Sequence, residues 1–227
     1  MSGREDSTLA EELSDGVEAL VAASLEGQRL PLRIKYLALA FAFSNKGRDE
    51  DSRKWGRQAI AEGITTAELA EALCAGVLSR GVGIVSANSW LLAEAEPADP
   101  QIAGQPAPNA NEIVAYFDRT FGGVPGWLDL LVETSPPTLE TYYGLRAEIL
   151  RDGVLPRRDK ELILVVMNAA ERYDVGMRVH MGGALDAGAE PADLLEAVRA
   201  AIPAGGMVAW LSGADVYAEV MASRAGS

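Results

Sequence analysis

The sequence predicts an all-α protein built from an internal duplication, and three observations support this prediction. The 227-residue chain is rich in alanine and leucine, and β-branched residues seldom alternate with polar ones in it. Helix start and stop signals recur, such as the capping-box pattern Thr65-Thr66-Ala67-Glu68. The second half also repeats the first at a constant spacing.

The first half predicts five helices after a polar segment, residues 1–8, which we expect to be loose. These helices are expected at residues 9–26, 31–43, 52–62, 65–79 and in a last stretch that ends at residue 94. Leucine and valine fall on one face of the first helix, so it is amphipathic. Pro31 suits the first turn of the second, and Gly63 suits the C-terminal cap of the third.

Residues 95–110 are rich in proline, alanine and asparagine and indicate a linker. Helices resume after it and are expected at residues 111–120, 127–133, 138–151, 158–170 and 174–187, from Pro191 onwards, and at 207–222. The prolines and glycines between these segments mark the ends of the helices.

A shift of 125 residues superimposes residues 30–94 on the second half without a gap. Matched identities include Leu30 with Leu155, Pro31 with Pro156, Arg33 with Arg158, Lys35 with Lys160, Gly63 with Gly188 and Gly81 with Gly206. Prolines and glycines in register over this length predict a tandem duplication. We divide the chain into a first repeat at 9–97, a linker at 98–110 and a second repeat at 111–227.

Composition excludes several classes of function. A net charge of -13 argues against nucleic acid and against anionic membranes, and an anionic substrate would need a local group of arginines. The single cysteine, Cys74, and the single histidine, His180, exclude an internal disulfide and the usual zinc site, so no metal or cofactor is expected. No apolar run is long enough to span a membrane and the N-terminus is too acidic for a signal peptide, so a cytoplasmic location is expected.

Glu161 and His180 are the candidate working pair. They fall on two neighbouring predicted helices, and an imidazole beside a carboxylate between apolar helices can move protons near neutral pH. The alternative is structural: a core histidine bonded to a backbone carbonyl, and a glutamate that favours its helix dipole. The first half has Tyr36 and Trp55 at the matching positions, so either one copy works while the other supports it, or two aromatic residues fill a gap in the core.

The second half resembles the carboxymuconolactone decarboxylase and alkylhydroperoxidase D-like superfamily. The resemblance is carried over residues 140–222 by LPRRDKELI, an alanine-rich helix, HMGGALDAGA, a DLLEAV helix and GGM, and more loosely over 18–94 through the repeat. It implies an all-helical fold made of two alkylhydroperoxidase D-like repeats. Because single-repeat relatives form hexamers, it also implies a homotrimer.

The peroxidase branch of this superfamily has a glutamate followed by C-x-x-C-x-x-x-H. Glu161 and His180 match its glutamate and histidine, whereas Tyr173 and Gly176 stand at the cysteine positions and Cys74 matches neither. Reduction of peroxide by thiols needs a reactive thiolate and a resolving partner, so this activity is excluded. The decarboxylase branch lacks the cysteine pair, so the resemblance implies a cofactor-independent lyase or isomerase that acts on a small acidic lactone or keto acid.

In this reading His180 is the general acid or base, Glu161 orients it or relays its proton, and Tyr173 donates a proton or binds a carbonyl oxygen. Arg178 or Arg158 would hold a substrate carboxylate, although both could equally lie on a solvated helix face. The match of Arg158 to Arg33 points to a structural role for it.

Gly176, Trp55 and Tyr142 are expected to shape the substrate pocket. Close helix packing is the alternative for the glycine, and core packing is the alternative for the two aromatic residues. The competing function for the whole chain is a non-catalytic relative that binds a small molecule or serves in assembly.

Overall fold

The prediction of an all-α protein is confirmed. The computed structural model describes residues 2–97 and 109–225, and this part of the chain contains fourteen α-helices and no β-strand. Their bounds are α1 (Ser2–Leu25), α2 (Leu32–Asn45), α3 (Asp49–Ala61), α4 (Thr66–Arg80), α5 (Gly83–Asn88), α6 (Trp90–Glu94), α7 (Ala110–Phe121), α8 (Gly126–Thr134), α9 (Pro136–Ile149), α10 (Arg157–Glu171), α11 (Asp174–Asp186), α12 (Pro191–Ala200), α13 (Ile202–Gly205) and α14 (Met207–Ala225).

Two local expectations were wrong. Residues 2–8, which were expected to be loose, form the start of α1, because the run from Ser2 to Leu25 contains no proline to stop a helix. The last helix of the first half is two short helices, α5 and α6, which meet at Ser89. Most of the predicted linker, residues 98–108, lies outside the described residues.

Helix bounds in the two halves coincide at the same shift of 125 residues. Helix α2 corresponds to α10, α3 has the bounds of α11, and α4 covers the length of α12 and α13 together. This agreement supports the interpretation of the chain as a tandem duplication, which stays a prediction.

The two halves share one hydrophobic core, and α2 and α10 lie at its centre. Two buried ion pairs cross between the halves. The ammonium of Lys35 lies 2.8 Å from Glu196 Oε1, and that of Lys160 lies 2.7 Å from Glu71 Oε2. Each lysine is the counterpart of the other under the shift, and so is each glutamate, so the two pairs are reciprocal.

Both buried carboxylates also hold the backbone that leads into the central helices. Glu196 accepts a hydrogen bond from the backbone N–H of Leu30 at 3.0 Å, and Glu71 accepts one from Leu155 at 3.1 Å. The two lysines donate in turn to backbone carbonyls at the end of the preceding helix and just after it. No fully buried nitrogen or oxygen atom of these four side chains lacks a hydrogen-bond partner, as burial requires.

Helices α7, α8 and α9 enclose a second, smaller cluster of buried residues, which consists of Ile113, Phe117, Leu128 and Leu139. Helix α9 joins this cluster to the main body by packing against α4. The cluster forms the outer wall of the site described below. No helix in the described ranges is long and apolar enough to cross a membrane.

Candidate functional site

Helices α10 and α11 pack against each other and bring Glu161 and His180 together. Arg172 ends α10 in the left-handed conformation (φ 57°), so the chain reverses within two residues before α11 begins at Asp174. The His180 Nδ1 atom then lies 2.7 Å from Glu161 Oε2. Glu161 is fully buried and His180 is 7% exposed, so the pair is shielded from bulk water.

Gly183 makes this contact possible. It lies one turn after His180 on α11, and a β-carbon on it would stand 2.3 Å from Glu161 Oε1. The glutamate side chain therefore lies directly against the backbone of α11. The first half has Gln58 at the matching position and has no glutamate to accommodate.

The surroundings keep the pair in one charge state. Burial opposes ionisation of Glu161, but the hydrogen bond with His180 and the charges of Arg146 and Arg157 outweigh it and lower the pKa of this carboxyl. Burial also lowers the pKa of His180, with help from Arg146 and Arg80, although the Glu161 carboxylate acts in the opposite sense. The favoured state is thus a carboxylate beside a neutral imidazole.

This charge state fixes the tautomer of His180. An ionised carboxylate only accepts hydrogen bonds, so Nδ1 must carry the proton and donate it to Glu161. The other ring nitrogen, Nε2, is then unprotonated and has a lone pair to offer. A neutral imidazole held in this way can act as a general base.

Two arginines flank the other oxygen of Glu161. Arg157 Nε lies 3.5 Å and Arg146 Nη2 lies 3.8 Å from Glu161 Oε1. Both separations exceed those of hydrogen bonds, and neither Glu161 Oε1 nor Arg157 Nε has a hydrogen-bond partner among the described residues although both atoms are buried. The site therefore keeps unused polar capacity beside the dyad.

His180 lines a pocket of about 460 Å³, which we call the aromatic pocket. Its walls are mainly apolar and come from α7, α8, α9 and α11, and they include Phe117, Trp127, Leu131, Leu139, Tyr142 and Tyr143. The rings contact each other edge to face, with centroids 5.5 Å apart for Phe117 and Trp127 and 5.2 Å apart for Tyr142 and Tyr143.

A second pocket of about 400 Å³, the arginine pocket, adjoins the first. It is lined by Arg146, Arg151 and Arg157 together with Glu112, Ile113 and Tyr143. Three guanidinium groups thus face one hollow of a protein whose net charge is -13. The local concentration of arginine that an anionic substrate needs is present at this place.

The first half of the chain contributes to this site. Leu78 and Ser79, at the end of α4, line the aromatic pocket. Arg80 donates a hydrogen bond to Asn168 Oδ1 at 3.0 Å and pairs with Glu171 at 2.8 Å, so it ties α4 to α10. Asn168 is buried on α10 and lies beside Gly176 of α11. Gly176 precedes His180 by one helical turn.

Three other predicted site residues lie at the aromatic pocket. Tyr173 and Tyr142 line it, and both are partly exposed at its rim. The Tyr142 hydroxyl donates to the backbone carbonyl of Leu78 at 3.3 Å, and burial raises the pKa of this phenol. Gly176 also lines the pocket, but Tyr173 and Asn168 already fill the space above its α-carbon. It therefore serves close packing and leaves no room there for a ligand.

The other three are placed elsewhere. Arg178 is ion-paired with Glu219 and lines a neighbouring hollow beyond Trp127. Arg158 pairs with Asp193 at 3.1 Å, as Arg33 pairs with Glu68 at 2.8 Å, so its match to Arg33 reflects a shared structural contact.

Trp55 packs against Tyr36 in the first half, with ring centroids 5.5 Å apart. These two rings border a separate hollow of about 510 Å³ in the first half of the chain. Trp55 therefore does not reach the pocket of His180.

Sequence reasoning missed Arg146 and Arg157. A signal for the arginines was available, because Arg157 precedes Glu161 by one helical turn and its counterpart under the 125-residue shift is Leu32. Arg146 likewise has Val21 as its counterpart. In the described part of the chain, no three His, Cys, Asp or Glu side chains are grouped so that they could hold a metal ion.

Residues 136–219 match the model of the carboxymuconolactone decarboxylase family. Two solved structures from Burkholderia xenovorans LB400 are similar to the chain. One, described as a gamma-carboxymuconolactone decarboxylase subunit, has a TM-score of 0.59 and 20% identity and covers 98% of this chain and 92% of its own. The other, described as a carboxymuconolactone decarboxylase, has a TM-score of 0.42 and 29% identity and covers 51% of this chain and 93% of its own. No curated protein matches the chain.

Proposed function

We propose that the protein is a cofactor-independent lyase or isomerase that acts on a small acidic lactone or keto acid, because residues 136–219 match the model of the carboxymuconolactone decarboxylase family. The observation that supports this most is the buried contact of 2.7 Å between His180 and Glu161. The imidazole of His180 also lines a pocket. The dyad supplies the acid–base chemistry, and the arginines supply the site for an anion.

The first step is the removal of a proton from a carbon next to a carbonyl group. His180 Nε2 takes the proton, and the electron pair of the C–H bond moves into the carbonyl to form an enolate. Glu161 stabilises the imidazolium that results, because the carboxylate already accepts the proton on Nδ1. For an isomerase, the imidazolium returns the same proton to another carbon of the conjugated system.

A lyase uses the same groups in a different order. The bond between the carboxylate and the carbon breaks, carbon dioxide leaves, and the electron pair remains on the conjugated carbon skeleton. The neutral imidazole of His180 takes up a proton from the solvent at Nε2 and delivers it to that carbon, which returns the imidazole to its neutral state. Decarboxylation therefore takes up a proton and releases carbon dioxide at each turnover, whereas isomerisation does neither.

Arg146 and Arg157 replace Arg178 and Arg158 as the proposed anchors of the substrate carboxylate. Arg146 borders both pockets, and its side chain is only 14% exposed. A guanidinium group presents two parallel N–H groups to a carboxylate, which fixes the orientation of the substrate as well as its affinity.

The test compares the wild type with Glu161→Gln and His180→Gln on a panel of carboxylated lactones and unsaturated keto acids. Loss of a positioned general base lowers kcat by about 100-fold to 10,000-fold, so we expect losses of that order in both variants. Tyr36→Phe and Trp55→Phe alter the matching positions of the first half and serve as controls that keep activity. Unchanged turnover in His180→Gln would refute the assignment.

We also propose that the chain forms a homotrimer. Apolar side chains of α1 support this, since Leu13 is 62% and Val17 is 61% exposed in the single chain although both lie on its apolar face. Light scattering should give about three times the chain mass of 24.0 kDa. A mass equal to one chain would contradict the proposal.

A further inference from the structure

Resting on the proposed function, we propose that the substrate is amphiphilic: a carboxylate that carries an aryl or extended apolar group, rather than a compact dicarboxylate. The carboxylate would bind in the arginine pocket and the apolar group in the aromatic pocket. This proposal restricts the substrate class to acidic lactones or keto acids that carry a large apolar substituent.

The two pockets meet at shared side chains. Tyr143 and Arg146 line both of them, and on this proposal a single ligand extends from one pocket into the other past these two side chains. Their volumes, about 400 and 460 Å³, are each comparable with a small-molecule site. A ligand that spans them passes Tyr143 and Arg146, and its part in the aromatic pocket lies beside His180.

The walls of the aromatic pocket define what it can take. Arg146 and His180 are the only titratable side chains of its lining besides three tyrosines, and the remaining walls are aromatic, aliphatic or small and uncharged. A second carboxylate in this pocket would lose its hydration, and Arg146 and His180 are the only groups there that could compensate for its charge. An aryl group would instead contact Phe117, Trp127 and Tyr143, whose rings already pack edge to face.

The arginine pocket has the opposite character. Its three guanidinium groups outnumber the nearby carboxylates of Glu112 and Glu161. Glu112 is occupied as the N-terminal cap partner of α7, where its side chain accepts from the backbone of Asn109 at 2.8 Å. Arg151 makes no ion pair with any residue in the described ranges, so it can face an incoming anion.

The test measures binding and not turnover. Calorimetry is carried out on the His180→Gln variant, in which chemistry is removed, with 3-phenylpropionate, its uncharged amide and glutarate as probes. We expect 3-phenylpropionate to bind at least about tenfold more tightly than either of the others, since each of them lacks one of the two matched groups.

Two variants assign the halves of the ligand. Arg151→Gln should weaken 3-phenylpropionate about tenfold and leave the amide unchanged, and Arg57→Gln, on an exposed arginine of the first half, is its control. Trp127→Ala should weaken 3-phenylpropionate about tenfold and leave glutarate unchanged, with the exposed Leu130→Ala on the same helix as control.

The proposal is overturned if glutarate binds as tightly as 3-phenylpropionate, if the amide binds as tightly as the acid, or if neither variant changes affinity. It is also overturned if no probe binds and the trimer proves to cover Trp127 with a second copy of the chain. If binding follows the expected pattern while the wild type turns over no substrate on the panel, the acid–base proposal fails and the ligand assignment stands.

Discussion

The two halves of the chain place different chemistry at matching positions of the same helical frame. In the second half, Glu161 and His180 form a hydrogen-bonded dyad of 2.7 Å, and in the first half Tyr36 and Trp55 form a ring pair of 5.5 Å. His180 lines a hollow of about 460 Å³, and Tyr36 and Trp55 border one of about 510 Å³. The difference extends to the flanking residues, because Arg146 and Arg157 have Val21 and Leu32 as counterparts.

What the halves retain in common is also informative. The arginine and lysine at the start of α2 and α10, and the buried glutamates of α4 and α12, make the same contacts twice. Charges that serve the fold are thus present in both copies, whereas the charges of the dyad are present in one. The comparison distinguishes the ionisable groups shared by both halves from those we propose to be functional, and the following predictions test that distinction.

The largest effect is expected at the shared ion pairs. Lys35→Met and Lys160→Met each leave a buried glutamate without its partner, which costs about 3–5 kcal/mol of unfolding free energy. Chemical denaturation should show similar losses for the two variants. A large loss in one and none in the other would contradict the reciprocal role of the pairs.

Substitution of Gly183 is expected to lower the unfolding free energy less than the loss of an ion pair does, and to lower activity as well. In Gly183→Ala the new methyl group would overlap Glu161 Oε1, so the side chain must move, at a cost of about 1–3 kcal/mol. We expect turnover to fall as the dyad is displaced.

Gly182→Ala is the matched control. Its added methyl group would lie 3.9 Å from the nearest side-chain atom, Nη2 of Arg224, which is an ordinary van der Waals contact. Denaturation and turnover of this variant should stay close to those of the wild type. Equal behaviour of the two alanine variants would refute the packing role of Gly183.

The pH dependence of His180 should reflect its burial. Because burial and the charges of Arg146 and Arg80 lower its pKa, the imidazole stays neutral at neutral pH and gains a proton only below its ordinary range. Activity that needs the neutral base is therefore full at neutral pH and is lost as the pH falls through the lowered pKa.

His180 is the only histidine of the chain, so its NMR titration is unambiguous. The midpoint should lie below the ordinary value of 6.5, and Arg80→Gln should move it upwards by removing a positive charge. The unfolding free energy should decrease as the pH falls below 6.5, since the unfolded chain takes up the proton first. A midpoint at or above 6.5 would contradict the assignment of a neutral base.

The smallest effect is expected where the two halves differ in the turn between paired helices. Arg172 holds a positive φ of 57°, and its counterpart, Gly47, holds one of 67°. Glycine adopts this conformation without strain, so Arg172→Gly should stabilise the fold by about 0.5–1 kcal/mol. Thermal unfolding measures the change, and a lower midpoint temperature would argue against it.

Much of the fold could be predicted from the sequence because its signals are local. The capping box at Thr65 is present in the structure, and α10 and α11 begin and end within one residue of the predicted bounds. The start of α1 was missed because polar residues near a terminus resemble a loose segment. The pairing of Glu161 with His180 could be predicted from the sequence because it depends only on two helices that follow each other in the chain.

The rest of the site depends on packing between elements that are distant in the sequence. Arg146, on α9, lies 3.8 Å from Glu161 on α10, and Leu78, on α4 of the other half, lines the aromatic pocket. Arg158 was predicted as a possible anchor for a substrate carboxylate, but it is ion-paired with Asp193. Nothing local distinguishes an arginine that is free to bind a ligand from one that a distant carboxylate holds.

The exchange of lysine and glutamate between the halves has a consequence for the history of the chain. A single copy expressed alone would bury an ammonium and a carboxylate with no intramolecular mate, so it should persist only by pairing with its twin about a two-fold axis. On the proposed duplication, joining two such copies on one polypeptide would remove the need for both to keep an acid–base pair. The copy that has Tyr36 and Trp55 at these positions would then still complete its neighbour through the lysine and glutamate.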